Sequence, residues 1–199
     1  AAGEVASRMV VAAVHDMANE GQEIDTATLK TAILRANQQV LDASAGNSSY
    51  EGMGSTATVL HVDEHAGMVY YAHVGDSRLY LLRNGIFRQV SRDHSYVEEL
   101  VARGELSEAE AQHHPRKNLL LRAVGIEERL HVDGDFFPLE AGDRLLLATD
   151  GLTNMVDDDE LAALLGGTFE GLAERMVKRA LAGGGSDNIT AIAVAYEPS

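Results

Sequence analysis

The amino-acid sequence predicts an α+β layered domain, and three observations carry that prediction. Two amphipathic helical stretches lead the chain, a series of β-branched and aromatic runs with an Asn-Gly turn follows, and further helical stretches come before a last apolar strand. At 199 residues, 45% of them hydrophobic, the chain is long enough for one substantial core. A single domain spanning residues 1–199 is therefore expected.

The first stretch, "AAGEVASRMVVAAVHDM", places Val5, Met9, Ala13 and Met17 four apart on one helical face. It is already helical at Ala1, with neither a cap nor a methionine ahead of it, so sequence upstream of it is expected. The second, "DTATLKTAILRANQQVLDASAGN", has Asp25 or Thr26 as its cap and Leu29, Ile33, Ala36 and Val40 at helical spacing, and ends near Gly46. From Ser55 the period changes: "STATVLHV", "MVYYAHV", "RLYLLR" and "IFRQV" read as antiparallel strands, the last two joined by Asn84-Gly85. Residues 91–125 lose that regularity and read as an inserted flap with short helical pieces such as "SYVEELVARG". Strand character returns in "LHVDGDFFPL" and "DRLLLAT". Helices follow at "DDDELAALLGG" and "FEGLAERMVKRALAGGG", then a final strand, "NITAIAVAYE". Acids are expected at helix starts and bases at helix ends, as the helix dipole favours.

Composition narrows the function classes. The formal net charge is −15, from 16 Lys plus Arg against 31 Asp plus Glu, so the surface repels nucleic acid and anionic lipid and favours cationic metals. The absence of cysteine removes disulfides, thiolate nucleophiles and cysteine zinc sites together, and fits a reducing, cytoplasmic setting. No apolar run approaches the roughly 20 residues of a membrane span, and no signal peptide opens the chain. "GMGSTATV" lacks both the lysine of a phosphate-binding loop and the glycine spacing of a dinucleotide fingerprint.

Three acids stand at strand ends: Asp76 in "HVGDSRLYLL", Asp150 in "LLLATDGLTNM" and Asp187 in "GGSDNITAIAVA". Each has Gly75, Gly151 or Asn188 beside it, where the backbone turns sharply and approaches a ligand closely. Carboxylates that converge there suit hard cations such as Mg²⁺ or Mn²⁺, whereas zinc would want His or Cys in the set. Asp beside Gly is also the mark of an ordinary turn, so no one of the three carries the metal reading by itself.

Taken together and in order, "GMGSTATV", "AHVGDSRLYLLR", "DRLLLATDGL" and "GGGSDNIT" resemble the metal-dependent protein phosphatases of type 2C, bacterial branch. The resemblance runs from residue 1 to about residue 196, and four ordered motifs are far more specific than one. It implies an α-β-β-α sandwich of two antiparallel sheets flanked by helices, with two Mn²⁺ or Mg²⁺ ions at one edge. It matches Asp150 and Asp187 to catalytic acids that hold one ion of the pair, and Asp76 to the acid of a third ion, with Asp150 shared between sites. Asn188 and Gly151 would shape the turns, Arg78 would pair with a neighbouring acid, and Thr56 would begin the strand behind the site. The implied activity is hydrolysis of phosphoserine and phosphothreonine in proteins, in signalling that opposes a Ser/Thr kinase. Water activated between two divalent ions is the nucleophile that such a site provides. The family is mostly monomeric.

The family's upstream Asn-Glu-Asp stretch and its Asp-Gly-Met-Gly-Gly-His signature have no counterpart in residues 1–199, although "AAGEVAS" is similar to the segment just after that signature. The metal-bridging acid comes from that part, so residues 1–199 alone are expected to carry half a dinuclear site. The alternative is a non-catalytic relative that keeps the fold for partner binding or sensing. A haloacid-dehalogenase type of phosphatase is excluded, because the acid it needs two residues before Asp150 is Ala148. Within the flap, His113, His114, Arg116, Lys117 and Arg122 offer local attraction for a phosphopeptide, against the plainer reading of a solvated insertion. His94 reads as a hydrogen-bonded structural histidine.

Overall fold

The computed structural model describes residues 2–197. In chain order its elements are α1 (Ala2–Asn19), α2 (Thr26–Gly46), β1 (Ala57–Asp63), β2 (Met68–Val74), β3 (Arg78–Arg83), β4 (Ile86–Gln89), α3 (Tyr96–Ala102) and α4 (Glu108–Gln112). Then follow β5 (Asp133–Pro138), β6 (Arg144–Ala148), α5 (Asp150–Thr153), α6 (Asp158–Gly166), α7 (Leu172–Ala182) and β7 (Ala191–Ala195). Two sheets result, in strand orders β1-β2-β5 and β4-β3-β6-β7, and helices accompany both.

The described residues divide into two compact units, one holding those up to Asp76 with Asp93–Phe137, the other Ser77–Arg92 with those from Pro138 onward. Each has its own core. In the first, α1 buries Ala6, Val10, Ala13 and Met17, while Val5 and Met9 pack at the margin of the same cluster. The buried face is thus rotated slightly from the one expected, and the expected start at Ala1 lies outside the described residues. Asp25 caps α2, its Oδ1 accepting the Thr28 N–H at 2.8 Å, and that hydrogen bond holds its carboxyl below the usual carboxylate range. Leu29, Ile33, Ala36 and Val40 on α2 are buried with Ala57 of β1 and with Ala72 and Val74 of β2. β1 and β2 pair antiparallel from Ala57↔Val74 to Asp63↔Met68.

The second unit is built on β3 and β6, which pair from Arg78↔Ala148 to Leu82↔Arg144, with β4 and β7 outside them. At the β3–β4 turn, Asn84 and Gly85 have φ of 51° and 78°, the left-handed pair that a two-residue hairpin requires. Leu172, Met176 and Ala180 of α7 lie four apart and close over Tyr80, Leu146, Leu161 and Leu165, all fully buried or nearly so. A buried leucine of this kind contributes about 1.5–3 kcal/mol. Arg83 grips the buried Asp143 with two hydrogen bonds, Nε to Oδ1 at 2.7 Å and Nη2 to Oδ2 at 2.6 Å, locking β3 to the turn before β6.

Residues 93–137 carry the stretch read as a flap. Ser95 caps α3, and Ser107 with Glu110 forms a reciprocal capping box at α4. Arg122 is committed to Asp133 at 3.2 Å, and Arg116 lies over the Tyr96 ring, 5.8 Å from its centroid. Acids open α3, α4, α6 and α7 as expected, but among the described helices only α7 ends on a base, Arg179. Elsewhere backbone N–H groups serve the last carbonyls, as Gly167 does for Leu164 and Arg103 for Glu99.

Candidate metal centre

Asp150 stands two residues beyond the last residue of the inner strand β6 and opens the single turn of α5. Thr149 stands at the N-cap position without capping, because its hydroxyl serves another loop. It donates to the Asn188 carbonyl at 3.2 Å and accepts the Thr190 N–H at 2.9 Å, while the Thr149 N–H reaches the Thr190 carbonyl at 3.1 Å. Residues 149 and 188–190 are thereby stitched together. Gly151 allows that close approach: a Cβ there would lie 2.3 Å from the Asn188 carbonyl oxygen. Asp187 Oδ1 accepts the N–H of Asn188 at 2.7 Å.

The stitching brings two carboxylates within electrostatic reach of each other, Asp150 half-buried and Asp187 exposed. Burial pushes the Asp150 carboxyl above its ordinary range, and the negative charge of Asp187 pushes it further. The Gly151 N–H and the Arg78 guanidinium work the other way. Arg78 heads β3 in register with Ala148. Its Nη1 donates to the Tyr80 hydroxyl at 3.0 Å, and that hydroxyl donates to Asp158 at 3.2 Å. Arg78 is thus linked to Asp158 through a tyrosine, and its charge also moderates Asp150.

Asp76 lies at the end of β2, in the other unit, and is half-buried. Gly75 before it has φ of +108°, and a Cβ there would come 2.4 Å from Thr56 Cγ2, so the turn that presents Asp76 is packed against the residue that leads into β1. His94 is buried and hydrogen-bonded, with Nε2 3.0 Å from Asp133 Oδ2.

Two adjacent carboxylates, one of them held half out of water against its charge, fit a hard divalent cation, which would neutralise the repulsion between them. Among the described residues no group of three or more His, Asp or Glu side chains is placed to hold an ion. The three acids Asp76, Asp150 and Asp187 expected to serve metal ions do not form such a group among the described residues. Sequence reasoning gave no role to Thr149, Tyr80, Asp133 or Asp158. A threonine directly before the strand-end acid was the one signal on offer for the first.

Comparison with known proteins agrees with this geometry. Residues 1–183 match the sequence profile of the family described as Protein phosphatase 2C. The chain is 40% identical over 201 residues to the serine/threonine phosphatase stp of Listeria monocytogenes serotype 4b (strain F2365), covering 97% of this chain and 79% of that protein. The crystal structure of the Mycobacterium tuberculosis serine/threonine phosphatase PstP/Ppp superposes with a TM-score of 0.90 at 34% identity, covering 99% of this chain and 83% of that one. The catalytic domain of PstP in complex with 2 manganese ions superposes with a TM-score of 0.87 at 33% identity, covering 98% of this chain and 83% of that chain. With four ordered motifs, two sheets with their helices and a pair of strand-end acids in place, the chain belongs to the protein phosphatase 2C family.

Proposed function

We propose that the protein is a metal-dependent protein serine/threonine phosphatase that hydrolyses phosphoserine and phosphothreonine on phosphoproteins, opposing a Ser/Thr kinase. The observation that carries this reading is the Asp150–Asp187 pair, stitched together by Thr149, in a member of this family. Asp150 and Asp187 would hold one Mn²⁺ or Mg²⁺ ion of a pair, and Asp76 would serve a third. Bound ions of this kind supply a water nucleophile near neutral pH and stabilise negative charge on the transferring phosphoryl group.

The chain's own groups do the rest. The Thr149 hydroxyl and the Gly151–Asn188 contact fix the spacing of the two carboxylates, so little reorganisation is needed when a cation arrives. The Arg78 guanidinium on β3 favours the ionised form of Asp150, partly offsetting the burial and the Asp187 charge that push its carboxyl above the ordinary range. His113, His114, Arg116 and Lys117 form the basic stretch of the flap at about 91–125 and would draw a phosphopeptide toward an otherwise acidic chain. Residues 1–199 belong to one catalytic domain of a monomeric, cytoplasmic protein. No helix among the described residues is long and apolar enough to cross a membrane.

The test is hydrolysis of a phosphothreonine peptide by the full-length protein and its Asp150→Asn and Asp187→Asn variants over a range of Mn²⁺ concentrations. Either substitution should lower kcat/KM by at least about 100-fold. Unchanged Mn²⁺-dependent turnover in both would overturn the assignment.

A further inference from the structure

Gly75 is held at both ends of its peptide by one residue. The His94 N–H donates to the Gly75 carbonyl at 2.8 Å, and the Gly75 N–H donates to Nδ1 of the His94 ring at 3.2 Å. The second bond fixes the tautomer. Nδ1 must offer its lone pair to the amide, so Nε2 carries the proton and donates it to Asp133 Oδ2 at 3.0 Å. Asp133 is fixed in turn by Arg122 Nη1 at 3.2 Å and His131 Nε2 at 3.2 Å. The ring of His73, itself 2.9 Å from the Thr58 hydroxyl through Nδ1, packs on His94 at a tilt of 44° with centroids 4.8 Å apart.

Both imidazoles are buried, and no buried side-chain nitrogen or oxygen among the described residues lacks a hydrogen bond. A hydrogen-bonded chain whose inner members are both buried favours one geometry at its inner end. What it specifies is the left-handed turn at Gly75, the residue immediately before Asp76.

We propose that His94, oriented by Asp133, is a positioning residue for Asp76: its ring and backbone clamp the Gly75 peptide and so aim the Asp76 carboxylate for cation binding. The proposal rests on the phosphatase reading above, in which Asp76 serves the third ion. It also gives Arg122 and Asp133 a task in the first unit: they hold the ring that holds the turn.

Two substitutions separate the two halves of the ring. In His94→Asn the amide oxygen takes the place of Nδ1 and keeps the acceptor for the Gly75 N–H. In His94→Gln the amide nitrogen takes the place of Nε2 and keeps the donor to Asp133 but leaves the Gly75 N–H unserved. The measurements, on the full-length protein, are amide hydrogen exchange at Gly75 in EDTA, calorimetric titration with Mn²⁺, and melting temperature.

H94Q should speed exchange at Gly75 by about tenfold or more and weaken the weakest Mn²⁺ site by about tenfold, while H94N stays near the parent in both. Asp133→Ala, which frees the ring without touching it, should fall between them and serves as the second variant where H94Q does not fold. Losses in both His94 variants that simply track their melting temperatures would mean a structural histidine and overturn the proposal. Parental Mn²⁺ binding in H94Q and D133A would do the same while leaving the phosphatase reading intact. A parent protein that binds no Mn²⁺ would overturn both.

Discussion

Gly151→Ala probes the spacing on which the candidate site depends. A Cβ at residue 151 would lie 2.3 Å from the Asn188 carbonyl oxygen and 2.9 Å from its carbon, both backbone atoms that cannot rotate away. Restoring ordinary contact requires the turn at 151 and the loop at 188 to part by about 0.7–1 Å, and overpacking of that order costs about 1–3 kcal/mol. For a chain of this length each kcal/mol lowers the melting temperature by about 2–4 °C. Asp150 and Asp187 are the chain neighbours of the two residues forced apart, so the carboxylates separate with them. A misplacement of about 1 Å costs on the order of 100-fold in activity, about 2.7 kcal/mol. Differential scanning fluorimetry with and without Mn²⁺, together with phosphopeptide turnover, reads both effects. A variant that melts with the parent, keeps its Mn²⁺-induced shift and turns over at the parental rate would refute the claim that the close approach of 151 and 188 sets the site.

Other consequences are more local. Asp150→Asn removes one of two adjacent negative charges, so the metal-free protein should melt higher than the parent while its Mn²⁺-induced rise disappears; fluorimetry in EDTA and in Mn²⁺ checks both. Asp143→Ala removes two hydrogen bonds from Arg83, which keeps Glu140 and the Pro138 carbonyl, and should cost about 1.5–3 kcal/mol in urea unfolding, with the Mn²⁺ dependence of the remaining folded protein unchanged. Gly85→Ala strains a turn residue at φ +78° with open space around it, so its cost in the same assay is that of backbone conformation alone, about 1 kcal/mol.

The pH dependence has a defined sign. Burial holds His94 below its ordinary value of 6.5 despite Asp133 and Asp93, with Arg122 adding to the depression. The unfolded chain therefore takes up a proton as pH falls through about 6.5 while the folded one does not, and stability falls across that window. Asp133, held below 3.8 by His94, Arg122 and His131 against its own burial, loses its contribution at lower pH still. Urea midpoints measured from pH 8 to pH 5 should decline in the parent and stay flatter in His94→Asn.

Much of this architecture is written in local pattern. Asp25 followed by apolar residues at helical spacing marks α2 to within a residue, and Asn84-Gly85 between two β-branched runs marks the β3–β4 hairpin. Asp150 and Asp187 were legible as strand-end acids because a carboxylate beside a sharp turn is a local feature. The strand order β4-β3-β6-β7 was not, since β3 and β6 are separated in sequence by the whole stretch that joins the other unit. α5 is only four residues long and has no period to read. The pairing of His94 with Asp133 spans 39 residues and leaves no periodic trace; only tertiary packing brings the two together. Thr149 carries the same lesson, because its hydroxyl ignores the helix it precedes and serves a loop from the far end of the chain.

The most direct test of the central claim is phosphate release from a phosphothreonine peptide by the full-length protein, first with Mn²⁺ and then with EDTA in excess. The account predicts release that Mn²⁺ supports and EDTA abolishes. Silence in both conditions from a folded protein would contradict it and favour a domain that keeps the phosphatase fold for binding alone.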